Sequence, residues 1–257
     1  MTIIYPSPIF GPVHSRRLGV SLGVNLLPSD GKICSFDCLY CECGLNQERR
    51  TKSKFPAREL VYATLEAKLK EMVENNNLPD VITFAGNGEP TGHPDFFNII
   101  KDTLLLRNQF APKAKVSVLS NAAHLNREQV IEALKLVDNN ILKLDTVDTH
   151  FINTVDRPNF DYNIQQIIEN IKKFEGKCII QTMFLKGNYE GEVLNNTTDK
   201  YVLPWLDVID EIKPREVMIY TIDRETPIKT LEKASKEDLD KIGEMVKNRH
   251  HKVQISY

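Results

Sequence analysis

Cys34, Cys38 and Cys41 follow one another at a C-x3-C-x2-C spacing, and Cys43 lies two residues further on. Three thiolates on one short loop can take three corners of an iron–sulfur cube. The fourth iron is then left to a small molecule, as a catalytic metal keeps an open coordination position. Zinc on Cys34, Cys38, Cys41 and Cys43 is the alternative, because four thiolates satisfy a tetrahedral ion. Against it, the closing Cys-x-Cys is awkward and no second pair follows at zinc-finger spacing. Cys43 is therefore expected beside a cluster and not on it, since a fourth thiolate would close the open iron. Cys178, alone in sequence, is expected to be a buried strand residue. Five cysteines so unevenly placed make a poor disulfide framework.

A second group of residues follows at Phe84-Ala85-Gly86-Asn87-Gly88-Glu89-Pro90-Thr91. Gly86 and Gly88 let backbone approach a ligand closely, and Glu89 offers acceptors suited to an α-amino group. By itself Gly-Asn-Gly is an ordinary turn. Further polar residues recur downstream: Ser120-Asn121, Lys143-Leu144-Asp145, Gln181 and Tyr220-Thr221-Ile222-Asp223-Arg224. Each alone reads equally well as a cap or turn residue. His14, His93, His124 and His150 have no metal-ligand spacing and are expected on the surface or in loops.

The elements that must position these groups alternate between short β-rich runs and longer amphipathic segments. Strands are predicted at 21–27, 81–85, 115–119, 141–145, 178–184 and 216–221. Pro56 opens a first helix with Leu60, Ala63, Ala67 and Val73 on its apolar face. Pro94 opens a second, with Phe97, Ile100 and Leu104 inward, and Asn126 with Gln129 suggests a capping box for a third. Ile164, Ile167, Ile168 and Ile171 mark a fourth that stops near Gly176. A fifth spans 199–212, Ser235 with Asp238 starts a sixth, and 251–257 can close as a short strand. This alternation requires a parallel sheet with right-handed crossovers. Periodicity leaves open whether it is a barrel or a doubly wound sheet. The cysteines and polar residues sit at the carboxyl ends of the predicted strands, where either architecture places its site.

The 257 residues carry a formal charge of −2, so no global basic field draws the chain to phosphate. No stretch approaches the roughly 18 apolar residues of a spanning helix, and no membrane role is expected. Ser15-Arg16-Arg17-Leu18-Gly19 looks like a twin-arginine export signal, but Ser21 and Asn25 break the run behind it. A cytoplasmic location is expected.

Together the two groups resemble the motifs of the radical S-adenosylmethionine (SAM) superfamily: C-x3-C-x2-C with aromatic Tyr40 before the last cysteine, then a Gly-Gly-Glu-like loop with Asn87 in the middle place. Gly11-Pro12-Val13-His14-Ser15-Arg16-Arg17-Leu18-Gly19, Ser21-Leu22-Gly23-Val24-Asn25 and Tyr220-Thr221-Ile222-Asp223-Arg224 look like the Fe-S oxidoreductase branch related to the tRNA wyosine-synthesis enzyme. The match runs from about Gly11 to Pro227.

The resemblance implies an α/β fold of the partial (β/α)6 TIM-like barrel type. It implies a single domain over 1–257, with a motif-bearing core at about 11–227 and a C-terminal helix and short strand in 228–257. It implies a [4Fe-4S] cluster on Cys34, Cys38 and Cys41. SAM would be bound by Tyr40, by Gly86, Asn87, Gly88 and Glu89 at its aminoacyl part, by Ser120, Asn121 and Asp145 at ribose or carboxylate, and by Gln181 nearby. The implied activity is reductive cleavage of SAM to a 5′-deoxyadenosyl radical that abstracts hydrogen from a substrate. A flavodoxin- or ferredoxin-type protein would supply the electron. Neither a flavodoxin-like domain before Cys34 nor a second cysteine group is found, and little chain follows Pro227 to grip RNA. A small-molecule or peptide substrate is therefore expected over tRNA, although Arg49, Arg50, Lys52 and Lys54 form a basic run and Arg16-Arg17 could meet phosphate. An activase acting on a partner protein is a further possibility at this chain length.

Overall fold

The computed structural model describes residues 2–15, 19–48 and 50–257; the paired Arg16-Arg17 and Arg49 of the basic run lie outside the described residues. The chain divides into two compact units, one of residues 4–35 and 46–140, the other of residues 1–3, 36–45 and 141–257.

In the first unit, β1 (Ile9–Ser15) runs antiparallel to β2 (Gly19–Val24), which is parallel to β3 (Val81–Phe84). Next come β4 (Lys115–Ser120), parallel to β3, and β5 (Asn139–Lys143). Helices α1 (Arg58–Glu74), α2 (Phe96–Phe110) and α3 (Glu128–Leu136) form the crossovers. All four residues of β3 are buried, as expected for a parallel strand covered on both faces.

The second unit takes β5 over from residue 141. Its crossover to β6 (Ile179–Met183) contains α4 (Thr149–Phe151), a π-turn over Ile152–Asp156, and α5 (Ile164–Lys172). A hairpin of β7 (Leu185–Tyr189) and β8 (Glu192–Asn195) precedes α6 (Asp199–Ile212) and β9 (Glu216–Tyr220). Then β10 (Leu231–Lys233), which pairs with β7, leads into α7 (Lys236–Asn248) and β11 (Val253–Ser256). Strands β5, β6, β9 and β11 are parallel neighbours in that order.

Counting β5 once, the strands β2, β3, β4, β5, β6 and β9 neighbour one another in chain order, and β11 adds a seventh at the β9 edge. A doubly wound sheet reverses its strand order at a switch point; this one does not. The connectivity is that of a partial (β/α)6 barrel, which resolves the choice periodicity left open.

Local expectations fared unevenly. The Ser235–Asp238 capping box forms reciprocally, with Asp238 N donating to Ser235 Oγ at 3.1 Å and Ser235 N to Asp238 Oδ2 at 2.9 Å. The helix over 199–212 begins and ends where expected. On α1 the expected face is wrong. Val61, Leu65, Leu69 and Met72 are buried while Leu60 and Val73 are exposed. The buried series steps by four, four and three residues and keeps one face with four large side chains, whereas Val73 falls six residues after Ala67 and leaves the face of Leu60 and Ala63. On α2, Ile100 is buried but Phe97 and Leu104 are only half-buried; Phe96, Ile99 and Leu106 share the core instead. The Asn126–Gln129 capping box does not form. Arg127 N bonds to His124 O at 3.0 Å in a preceding turn, and the helix starts at Glu128 without a side-chain cap. Strands β1, β7, β8 and β10 were not anticipated. Among the described residues no helix is long and apolar enough to cross a membrane.

Candidate cofactor site

In the first unit the two sequence groups meet through backbone. Ile33 N donates to Asn87 O at 3.0 Å, Glu89 N donates to Ile33 O at 3.3 Å, and Ile33 forms a parallel bridge with Gly88. The approach is so close that a Cβ on Gly88 would lie 1.7 Å from Ile33 O, and Gly88 has φ +140°. Glycine is needed here because the segment leading into Cys34 occupies the side-chain position. Gly86 serves similarly: at φ +131°, its Cβ would lie 2.7 Å from Asn25 Cγ.

Asn87, expected as a cofactor contact, has its side chain elsewhere. It is fully buried; Oδ1 accepts from Tyr5 N at 2.8 Å, and Nδ2 donates to Tyr5 O at 2.9 Å and Pro28 O at 2.8 Å. Asn25 complements it, accepting from Asn87 N at 3.2 Å and donating to the carbonyls of Tyr5 and Pro6. An asparagine in place of glycine thus anchors the N-terminal segment, a role its sequence position did not reveal.

Glu89 is buried and ties the loop after β3 to the end of β4. Its Oε1 accepts from Thr91 N at 3.1 Å and Ser120 Oγ at 2.9 Å as well as Thr91 Oγ1, and Oε2 accepts from Asn121 N at 2.6 Å. Burial raises its pKa, opposed by these hydrogen bonds. Ser120 Oγ also accepts from Ala122 N at 3.1 Å. Asn121 Oδ1 accepts from Ala123 N at 3.0 Å, and Nδ2 donates to Ser35 Oγ at 2.9 Å and to Cys34 Sγ at 3.7 Å.

In the second unit, Cys38 and Cys41 are half-buried and Cys43 is buried. The loop is laid along the π-turn. Asp37 N donates to Asp156 O (3.1 Å) and Arg157 O (3.0 Å), and Leu39 N to Val155 O (2.9 Å). Leu39 and Tyr40 enter a core with Phe151, Val155, Met183 and Leu185, against which Cys38 packs. The Tyr40 hydroxyl donates to Asp145 Oδ2. Lys143 Nζ donates to Tyr40 Oη and Asp145 Oδ2, and to Asp156 Oδ1 at 2.8 Å. Asp145 Oδ1 accepts from Met183 N at 2.9 Å.

One ammonium therefore faces two carboxylates in a buried setting. Burial pushes the Asp156 carboxyl up to about 7 against the pull of Lys143. Burial also opposes the Lys143 charge, but Asp145 and Asp156 outweigh it and its pKa rises; Tyr40 is raised by burial and then by Asp145. Lys143 was named only within the polar run Lys143-Leu144-Asp145 and given no role, and Asp156 was missed. In the structure β5 ends at Lys143, so Asp145 is reached just beyond the strand; Asp156 sits in a turn with no sequence signature.

Gln181 is buried in β6, its carbonyl accepting from Leu144 N at 3.0 Å, and among the described residues its side-chain amide makes no hydrogen bond. The histidine expectation needs correction at His93. It is buried, with Nε2 2.9 Å from Pro56 O and Nδ1 accepting from Asp95 N at 3.1 Å, because it staples the segment before α1 to the start of α2. Cys178 is fully buried, and burial pushes its thiol up to about 12.

Among the described residues, no three His, Cys, Asp or Glu side chains converge as the ligands of one metal ion would. Thiolates that each take a separate corner of a cube need not converge in that way. The donor set itself fits a cluster: three half-buried cysteines, none in a disulfide, on one short loop with Cys43 turned inward.

A parallel α/β fold with sequential strand order, a three-cysteine loop after its first parallel strand and a Gly-x-Gly-Glu loop after the next define a radical SAM protein. The chain belongs to the Radical SAM superfamily, whose family model matches residues 29–198. Members are enzymes that use a [4Fe-4S] cluster and SAM and need an external reductant. Within the superfamily the chain is similar to a UPF0026 protein of Helicobacter pylori, 32% identical over 228 residues, covering 86% of this chain and 68% of that protein. It is also similar to a protein named GTPase Obg from Brachyspira hyodysenteriae, 29% identical over 240 residues, covering 91% of this chain but 32% of that protein. This chain thus spans about a third of the Brachyspira protein. Among solved structures, Streptococcus suis SuiB shares the fold. Bound to S-adenosylmethionine it gives a TM-score of 0.60 at 20% identity, covering 88% of this chain and 48% of SuiB. Bound to precursor peptide SuiA it gives 0.62 at 19%, covering 89% and 47%.

Proposed function

We propose that Cys34, Cys38 and Cys41 hold the [4Fe-4S] cluster and that residues 1–257 act as one radical SAM domain in the cytoplasm, modifying a small-molecule or peptide substrate. When bound, the cluster and SAM supply reductive C–S cleavage and a 5′-deoxyadenosyl radical that takes hydrogen from the substrate. The observation that carries this reading is the backbone register between Ile33 and Gly88, which sets the first cysteine beside the Gly-Asn-Gly-Glu loop.

The residues divide the work. Gly86, Gly88 and the backbone of Asn87 shape the loop for the aminoacyl end of SAM. Glu89 already has four donors, but only one is on Oε2, which retains lone-pair capacity for an ammonium. Ser120 and Asn121 hold the adjoining turn on the ribose or carboxylate side. Gln181 offers an uncommitted amide, and Tyr40 and Asp145, held by Lys143, are the further residues assigned to SAM. Reduction would come from a flavodoxin- or ferredoxin-type donor. The charge of −2 supports a small molecule or peptide over tRNA, and SuiB, of the same fold, binds a peptide.

Calorimetric titration of SAM into anaerobically reconstituted protein tests the reading. Glu89→Gln is expected to weaken SAM binding about tenfold, the loss of one charge-assisted bond, with iron content unchanged. Equal loss of SAM and iron would assign Glu89 to folding alone.

A further inference from the structure

The side chain of Asn121 points at sulfur. Its Nδ2 lies 3.7 Å from Cys34 Sγ, within N–H···S range, and its other hydrogen is taken by Ser35 Oγ at 2.9 Å. The amide cannot swing away freely. Oδ1 accepts from Ala123 N at 3.0 Å, and the Asn121 backbone N–H is anchored on Glu89 Oε2 at 2.6 Å. The amide plane is thus fixed on one side by the turn after β4 and on the other by the cysteine loop. Asn46 Nδ2 adds a bond to Cys34 O at 3.3 Å, so the residue receiving the N–H···S contact is itself held.

We propose that Asn121 is a positioning residue for the cluster, tuning its reduction potential through a hydrogen bond to the Cys34 thiolate. This rests on the reading that Cys34 is a cluster ligand. Hydrogen bonds to cluster sulfurs help set the potentials of iron–sulfur centres. A donor at sulfur favours the more negatively charged state, here the reduced cluster, so it raises the potential and eases the uptake of the electron that SAM cleavage consumes. Glu89 joins the same device from behind: the carboxylate that faces the loop also fixes the backbone of the residue touching Cys34. The SAM loop and the cluster would then be coupled through Asn121, not through SAM alone.

The test is an EPR-monitored potentiometric titration of the reconstituted protein without SAM, with iron content and the melting temperature of the metal-free protein measured in parallel. Asn121→Leu removes the donor. At a fixed potential its reduced-to-oxidised ratio is expected to fall about tenfold, a negative midpoint shift of about 59 mV for one electron. If leucine prevents assembly, Asn121→Ala removes the donor without added bulk or charge, and the midpoint is again expected to move negative. An unchanged midpoint in a variant that holds the cluster would overturn the proposal and leave the cluster assignment standing. A lowered melting temperature with an unchanged midpoint would assign Asn121 to folding alone. Wild-type protein that takes up no cluster would instead overturn the assignment of Cys34 on which the proposal rests.

Discussion

Gly88 and Ile33 touch through their backbones, with Ile33 O occupying the place where any side chain at position 88 would begin. The consequence is that the glycine most readily assigned to ligand approach is required by the chain itself, one residue before Cys34. Gly88→Ala must either displace the loop or strain a backbone at φ +140°; such backbone strain alone costs about 1–3 kcal/mol. The variant is expected to lose about 3 kcal/mol in urea denaturation and most of its capacity for iron on reconstitution. Full iron loading would show that the contact does not set the loop.

Lys143 is the sole cation among the described partners of Tyr40, Asp145 and Asp156 in the buried network, with its side chain 14% exposed against 1% and 4% for the two carboxylates. Removing one partner of a buried ionic cluster leaves uncompensated charge, at about 3–5 kcal/mol. Lys143→Met is expected to lose stability in that range in the metal-free protein, and Lys143→Met with Asp156→Asn to recover part of it. A loss below about 1 kcal/mol, the range of surface pairs, would mean that the network is solvated.

His124 supplies a pH dependence. Burial, and then Arg127, lower its pKa from 6.5 to about 4. Between those values the unfolded chain binds the proton more readily than the folded one. Its contribution to stability is therefore complete above pH 6.5 and is lost as pH falls toward 4. The group is only half-buried, so the loss after allowance for solvent screening is about 1–2 kcal/mol. Urea midpoints for His124→Gln should fall less than those of the wild type between pH 6.5 and 4.5. Parallel falls would remove His124 from the acid limb.

The cysteines should separate by reactivity, since thiolate character and access control attack. In metal-free folded protein at pH 7.5, iodoacetamide is expected to label Cys34, Cys38 and Cys41 readily and Cys178 only after denaturant. Peptide mass analysis reads each site. Labelling of Cys178 at the rate of the loop cysteines would contradict its burial.

The parallel strands and the capping box at Ser235 were legible because short hydrophobic runs and a reciprocal Ser–Asp pair leave local signals. The inward face of α1 was misread, since Val61, Leu65, Leu69 and Met72 keep one helical face while Val73 does not continue the face of Leu60, Ala63 and Ala67. Asn87 shows a different limit at the site. Its position within a familiar loop suggested ligand contact, while the partners that claim it, Tyr5 and Pro28, lie 82 and 59 residues away. Asp156 was hidden for the related reason that only folding brings a π-turn against the cysteine loop. The three cysteines and the Gly-x-Gly-Glu loop were legible because their chemistry is carried by residue type and local spacing.

The most direct measurement is 5′-deoxyadenosine formation by anaerobically reconstituted protein supplied with SAM and dithionite. The wild type is expected to hold about four irons per chain and to form 5′-deoxyadenosine. Replacement of Cys34, Cys38 or Cys41 by alanine should abolish both, and Cys43→Ala should leave both largely intact. Iron-loaded wild type that binds SAM yet forms no 5′-deoxyadenosine, or a Cys34→Ala, Cys38→Ala or Cys41→Ala variant that still forms it, would contradict the central claim.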